Sequence, residues 1–351
     1  MKNLKTILSM IIVGCCVFIP MMNVEASTVD NVEYPGSNVT VDDLGENKYK
    51  VTLTGNADED FEVLAGQTVT LDLAGFTLTN YLQDGQKAPC EAIKVAKGGV
   101  LTIIDSVGTG TVTNLVQSTY GPITNYGTLI IESGNFTTST DTYVVRNEGI
   151  NLTINGGIFT TNSQTTSLIG NIKYNENSAD LPTMTINGGT FEAVQDTIRN
   201  NENTAVTITN GTFNSQKTFA LDNLGTATVT GGTFTSVENS AIRHQIDSTN
   251  KDFSSLNITN ATLNSATDKT DYAIYDRAVN KDVTDDYNVT TDDDGNLVLE
   301  ELTPVTDVPE TPEEVKNEVE NPETSDGVLI FLSLTVIGFA GTALAFRRLY
   351  N

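Results

Sequence analysis

The chain has no tryptophan, one histidine and three cysteines in 351 residues. Cys15 and Cys16 lie in an apolar stretch near the N-terminus, so Cys90 is the single thiol of the main body and no intramolecular disulfide can form there. The fold must therefore stand on burial and hydrogen bonds, and Cys90 reads as a small buried hydrophobe. The lone histidine, His244, has no partner motif for acid–base work, so neither a catalytic residue set, a metal site nor a cofactor is expected. Basic residues are also scarce, 19 against 45 acidic ones. The two ends hold Lys2, Lys5, Arg347 and Arg348 but only Glu25 and Asp326 of the acids. Residues 27–324 thus carry 15 basic and 43 acidic side chains, a net charge of −28. A surface that negative repels nucleic acid, which rewards basic patches. It favours solubility on a crowded surface, or a basic partner. What is abundant is Asn, Thr, Gly and Asp, a mix for strands and turns.

Both ends have the layout of addresses. Residues 1–26 read as a secretory signal: Lys2 and Lys5, an apolar run from Ile7 to Met22, then Val24-Glu25-Ala26 as a small-residue cleavage site before Ser27. Ile12-Val13-Gly14-Cys15 also matches a lipobox, but apolar residues follow Cys15 where a lipoprotein continues with a polar tether. At the other end come Asn321, Pro322, Glu323, Thr324 and Ser325, then a mostly apolar run from Val328 to Phe346, then Arg347 and Arg348. The run is long enough to span a bilayer, and the arginines would hold its end on the cytoplasmic side. The whole arrangement resembles the sorting signal of sortase substrates in Gram-positive bacteria. That resemblance implies that sortase cleaves between Thr324 and Ser325 and joins Thr324 to peptidoglycan, placing the protein outside the cell on the wall. Asn321 and Ser325 depart from the commonest Leu-Pro-x-Thr-Gly form, which leaves the sortase class open. Upstream, residues 302–320 read as an extended Pro/Glu-rich linker, with a reach of roughly 55–60 Å at about 3 Å per residue.

Between the ends one pattern recurs, aliphatic-x-x-Gly-x-Phe. It runs Ile131 to Phe136, Ile154 to Phe159, Ile186 to Phe191, Ile208 to Phe213 and Val229 to Phe234, with a degenerate copy from Ile258 to Leu263. The terminal positions are separated by 23, 32, 22, 21 and 29 residues, a period near 22 with two insertions. Alternation such as Leu152-Thr-Ile154 is strand periodicity. Before each copy stands a second element ending in Asn125, Asn147, Asn171, Asn200, Asn223 or His244. Three strands and three turns per unit make one coil of a parallel β-helix. Stacked coils, about 4.8 Å apart, place Ile on Ile, Phe on Phe, and the asparagines in a ladder that satisfies the buried turn. His244 reads as a substitute within that ladder. The repeat resembles bacterial surface proteins with pectate-lyase-like right-handed β-helices, which implies the handedness. The expected architecture is all-β: a cap at 27–60, about eight coils and a terminal hairpin at 61–301, the linker, and the sorting signal at 321–351 with its span at 328–346.

Such folds host both enzymes and inert adhesins, so function must come from the site. Asp42-Asp43 and Asp285-Asp286, the paired aspartates a polygalacturonase-like enzyme would need, fall outside the central coils. Thr290 to Glu301 mimics a calcium loop through Asp292, Asp294, Gly295 and Glu301, but Thr290 stands where an aspartate belongs and Asp294-Gly295 is a hairpin turn. Residues one before the ladder point outward: Arg199, Asp222 and Arg243 in successive coils. They form a surface ion-pair ladder or, in a lyase, an arginine base beside a carboxylate. Three insertions, 172–183, 245–255 and 277–288, fall at one place in the coil. They supply Lys173, Tyr174, Asp180, Asp247, Lys251 and Tyr287, a mix suited to glycan or protein. The expected function is a peptidoglycan-anchored display or adhesion protein; the alternative is a wall-anchored polysaccharide lyase or glycoside hydrolase. Thr324→Ala should move the protein from the muramidase-released wall fraction to membrane or medium at full length; native protein that extracts with detergent and keeps Arg347 and Arg348 contradicts wall anchoring.

Overall fold

The computed structural model describes residues 27–29, 32–34, 38–58, 60–80, 91–114, 120–138, 140–173, 181–244 and 255–266. It also describes the backbone of the short strands Ile274–Asp276, Lys281–Asp282, Val289–Thr291 and Leu297–Leu299. The strands form a right-handed parallel β-helix. Each coil contributes one strand to each of three long sheets, and nine strands stack in parallel in every sheet. In one coil the chain runs through Thr128–Ile131, Asn135–Thr138 and Val145–Asn147, members of the first, second and third sheets, and starts the next coil at Asn151–Ile154. The strands are three to five residues long in most coils because each must turn a corner before it can cross the narrow core.

The register is the one the repeat demands. Ile131 pairs with Ile154, Ile154 with Ile186 and Ile186 with Ile208. Phe136, Phe159, Phe191, Phe213 and Phe234 form one buried column, and Leu263 continues it. Neighbouring rings lie 4.7, 4.9, 4.7 and 4.6 Å apart, with planes within 14° of parallel. That near face-to-face packing is not what free rings choose; the coil spacing imposes it. Each buried ring contributes about 2–3 kcal/mol through area removed from water. The glycine two residues before each ring has φ between +103° and +137°, a region that a Cβ penalises. Ala261 stands there in the degenerate copy, and the left-handed residue becomes its neighbour Asn260, at φ 52°. Asparagine tolerates that conformation best after glycine.

The ladder is continuous. The Nδ2 of Asn125 donates to Oδ1 of Asn147 at 2.7 Å, Asn147 to Asn171 at 2.7 Å, Asn171 to Asn200 at 2.9 Å, and Asn200 to Asn223 at 2.8 Å. The second N–H of each amide goes to a carbonyl that opens a first-sheet strand, as from Asn147 to Thr183 and from Asn171 to Ala205, both at 3.0 Å. His244 takes the next rung, its Nδ1 3.1 Å from the Nδ2 of Asn223, and the strand register continues to Asp276. Because Asn223 Nδ2 is a donor, which also donates to the Ser255 carbonyl, His244 Nδ1 accepts at this rung. Upstream, Val95 and Val63 occupy the ladder position.

Two features depart from the sequence reading. The parallel stack already includes Lys48–Leu53 and Ala57–Asp58, inside the segment assigned to the cap; the cap proper is Val39–Gly45, paired antiparallel to Lys48–Leu53. At the far end, the segment read as a third insertion contains Lys281–Asp282, which turns back to pair antiparallel with Ile274–Asp276. Among the described residues no further coil follows for an insertion to lead to, and the reversal covers a strand edge that would otherwise be open. Val289–Thr291 and Leu297–Leu299 form the terminal hairpin and close the second sheet in the same way. Asn171→Ala strands its partner's amide and the Ala205 carbonyl, and should cost about 2–4 kcal/mol in chemical denaturation. His244→Asn restores an amide rung and should stay within about 1 kcal/mol of the parent.

Candidate functional site

The outward positions of the first two sheets are mostly Thr, Asn and Ser, for example Thr153, Thr185, Thr207 and Thr228 in successive first-sheet strands. The third sheet differs. Its outward row runs in register through Glu62 and Lys94, then Thr124, Arg146, Gly170, Arg199, Asp222 and Arg243. Three arginines of a strongly acidic chain share this one face. Lys94 pairs with Glu62 at 3.0 Å and Arg146 with Glu148 at 2.6 Å.

Arg199, Asp222 and Arg243 do meet, as their spacing predicts. Arg243 grips Asp222 in bidentate fashion, Nε to Oδ1 at 2.9 Å and Nη2 to Oδ2 at 2.6 Å. Its guanidinium carbon also lies 4.3 Å from the ring centroid of Phe219, a stacked cation–π contact. Arg199 is on the other side, its Nη1 3.7 Å from Asp222 Oδ2, beyond hydrogen-bonding distance. Asp222 is completely buried although it points away from the core. Arg243 binds both its oxygens and Arg199 lies against one of them, so both are spent on structure. Beside it lies a second buried carboxylate, Asp196, which accepts from Ser167 Oγ at 3.1 Å, Thr218 Oγ1 at 2.6 Å and the Phe219 amide at 3.2 Å. Burial, and then the nearby charge of Asp222, push the Asp196 carboxyl above its ordinary range.

Tyr143, Asp196 and Phe219 were not legible as site residues, although each sits two positions before a third-sheet strand. That shared offset is the signal that could have found them. The ring of Tyr143 lies over Gly170, where an added Cβ would come within 2.8 Å of it. It thus fills the gap between the rungs of Arg146 and Arg199. Burial raises the Tyr143 hydroxyl; Arg199 and Arg146 oppose that rise, and Asp196 and Asp222 reinforce it. Further along the face, burial chiefly raises Glu91 and Glu148, and burial with their charges pushes Tyr126 up to about 12.

Insertions frame this row. Third-sheet and first-sheet strands are joined by the short turns 126–127, 148–150, 201–204 and 224–225, but by 172–182 after Ile169–Asn171 and by 245–254 after Ile242–His244. The rungs of Arg199 and Asp222, with short turns, lie between the two that carry insertions. Three coil steps separate the insertion roots, about 14 Å at the usual strand spacing. Lys173 is half-buried at the root of the first. Tyr174, Asp180, Asp247, Lys251 and Tyr287 lie outside the described residues, as do Cys90, the signal segment and the sorting motif Asn321, Pro322, Glu323, Thr324 and Ser325. Among the described residues no group of three His, Cys, Asp or Glu side chains could hold a metal ion, and no helix is long and apolar enough to cross a membrane.

Fold and face define the class, a right-handed parallel β-helix with one charged and two hydroxyl-rich faces. The chain matches no protein-family model, no curated protein and no solved structure.

The buried acids set a pH dependence. For Asp196, Glu91 and Glu148 the folded-state pKa lies above the unfolded one, so between the two values the folded chain binds protons more tightly. Their ionisation cost is fully present above the raised values and disappears as pH falls toward the ordinary carboxylate range near 4. Asp72 goes the other way. Burial would raise it, but the amides of Ser106 and Ala74 and the charge of Lys50 outweigh that, so its contribution is lost only at lower pH. The melting temperature should therefore rise from pH 7 to about pH 5. Asp196→Asn should flatten that rise and gain roughly 2 °C at pH 7. An unchanged pH profile in the variant contradicts the assignment.

Proposed function

We propose that the chain is a peptidoglycan-anchored surface protein that displays its β-helix for adhesion, binding glycan or protein on host or neighbouring cells through the third face. The observation that carries this reading is the framing of the Arg199–Asp222 rungs by two insertions rooted at the same corner. A stack of paired strands supplies a rigid support, and loops on rigid supports commonly carry recognition. The sequence at 321–351 supplies the wall attachment through sortase, and the charged linker gives the display domain a short tether. Arg199 beside Asp222 also motivates a second reading, a wall-anchored polysaccharide lyase or glycoside hydrolase. The enclosure of Asp222 favours binding, because Arg243 occupies both oxygens that a lyase would need beside its arginine base for a cation or substrate.

The two readings separate in one set of assays. Replacing 172–182 and 245–254 with a Tyr-Gly turn like that at 126–127 should abolish adhesion to immobilised glycans, matrix proteins or cells while leaving the thermal transition intact. Full adhesion by the folded, trimmed variant overturns the face assignment. Product formation in an absorbance or reducing-sugar screen of acidic and neutral polysaccharides, with and without Ca²⁺, would establish the enzymatic reading instead.

A further inference from the structure

Among the described arginines of the charged face, Arg199 is the one held most loosely. Arg146 is paired with Glu148, and Arg243 with Asp222. Arg199 gives its Nε–H to Asn201 Oδ1 at 3.0 Å. Among the described residues its terminal nitrogens meet no acceptor at hydrogen-bonding distance, the nearest carboxylate oxygen being the 3.7 Å contact to Asp222. The side chain is 36 % exposed, against 21 % for Arg243 and 0 % for Asp222. Beside it the half-buried Tyr143, whose ring covers Gly170, has a hydroxyl without a hydrogen-bond partner among the described residues. Two terminal guanidinium nitrogens and a phenol, held between two insertion roots, are a set of donors awaiting an acceptor. The Asn201 bond fixes the guanidinium through Nε and leaves its outer edge free.

We propose that Arg199 and Tyr143 form the anchoring subsite of this face for a single oxyanion, carboxylate or sulfate, carried on a terminal sugar. This rests on the adhesion reading above and names its ligand class. Arginine's planar fork matches a carboxylate or sulfate edge in a way a point charge does not. The size of the charge follows from the rest of the molecule. One loosely held guanidinium, in a β-helix whose residues 27–301 carry 14 basic and 36 acidic side chains for a net charge of −22, can hold one anionic group, whereas a polyanion meets repulsion once it extends past the row. The buried Asp196 and Asp222 carboxylates, and Glu148 beyond Arg146, reinforce that limit. Among the described residues the outward row of the third sheet carries no large exposed hydrophobic side chain, although Ile150 and Leu181 stand exposed in the connections beside it. What the row offers is donors, so a sugar is held by hydrogen bonds from Arg199, Tyr143 and the neighbouring Ser, Thr and Asn side chains.

The test is ligand-observed saturation-transfer NMR on the full chain, with glucuronic acid and glucose 6-sulfate as charged probes, glucose as the neutral control, and heparin and an acidic peptide as competitors. Saturation transfer to one or both charged sugars but not to glucose is expected, and the two arms show which oxyanion is preferred. Arg199→Gln should weaken binding by roughly tenfold or more, the loss of about one charge-assisted hydrogen-bond pair. Tyr143→Phe keeps the ring over Gly170 and should weaken binding several-fold without moving the melting temperature. Equal transfer to glucose, equal binding by Arg199→Gln, or stronger competition by heparin or peptide overturns the proposal. If no sugar binds while the chain still adheres to cells through the insertions, the subsite is wrong and the adhesion reading survives; if adhesion is also absent, both fail.

Discussion

The corner between the third and first sheets governs this fold. There a buried turn would leave carbonyls and amides without water, and a column of asparagines supplies both donors and acceptors. Each amide spends one N–H on the next rung and the other on the carbonyl that opens the following strand. The ladder therefore couples side-chain pairing to backbone register. A slip by one residue would leave unpaired polar groups buried at every affected rung, at a cost of about 1–3 kcal/mol each. Such a penalty accumulates over the stack, which explains why insertions enter just after the ladder residue and leave the ladder unbroken.

Fixed register has a second consequence, outside the core. Once Phe stacks on Phe and Asn on Asn, every outward position is also aligned with its neighbours at the strand spacing. Two faces use that alignment for threonine, whose branched side chain suits a half-exposed strand surface. The third uses it to line up charge. In an acidic domain the natural fate of an arginine is to be neutralised, and Arg146 and Arg243 are. Arg199 is held only by the longer 3.7 Å contact to Asp222, because Gly170 on one side has no side chain and Asp222 on the other is already gripped by Arg243. A fixed coil spacing thus creates a local charge that composition alone argues against.

What periodicity carries was legible in the sequence: the three strands per coil, the phenylalanine column, the ladder, His244 as a substitute within it, and the adjacency of Arg199, Asp222 and Arg243. What depends on how one coil's side chains lean across the next was not. Asp222 points outward by alternation yet is buried, gripped by Arg243 of the following coil, which itself stacks on Phe219. Tyr143, Asp196 and Phe219 share a position but not a residue type, so only their common offset before the third-sheet strands marks them. The first coil was also hidden. Lys48–Leu53 pairs in parallel with Thr68–Asp72 but has neither the Gly-x-Phe ending nor a ladder asparagine, and its neighbour Val63 fills that corner with an apolar side chain.

The central claim is that the stack commits Arg146 and Arg243 to ion pairs and leaves Arg199 as the open cation of the face. Arginine-selective modification with phenylglyoxal, followed over time by peptide mass spectrometry on the folded chain, tests it without any ligand in hand. The account predicts that Arg199 is modified first, with Arg146 and Arg243 protected until the domain unfolds. Modification of Arg243 as early as Arg199 would contradict it.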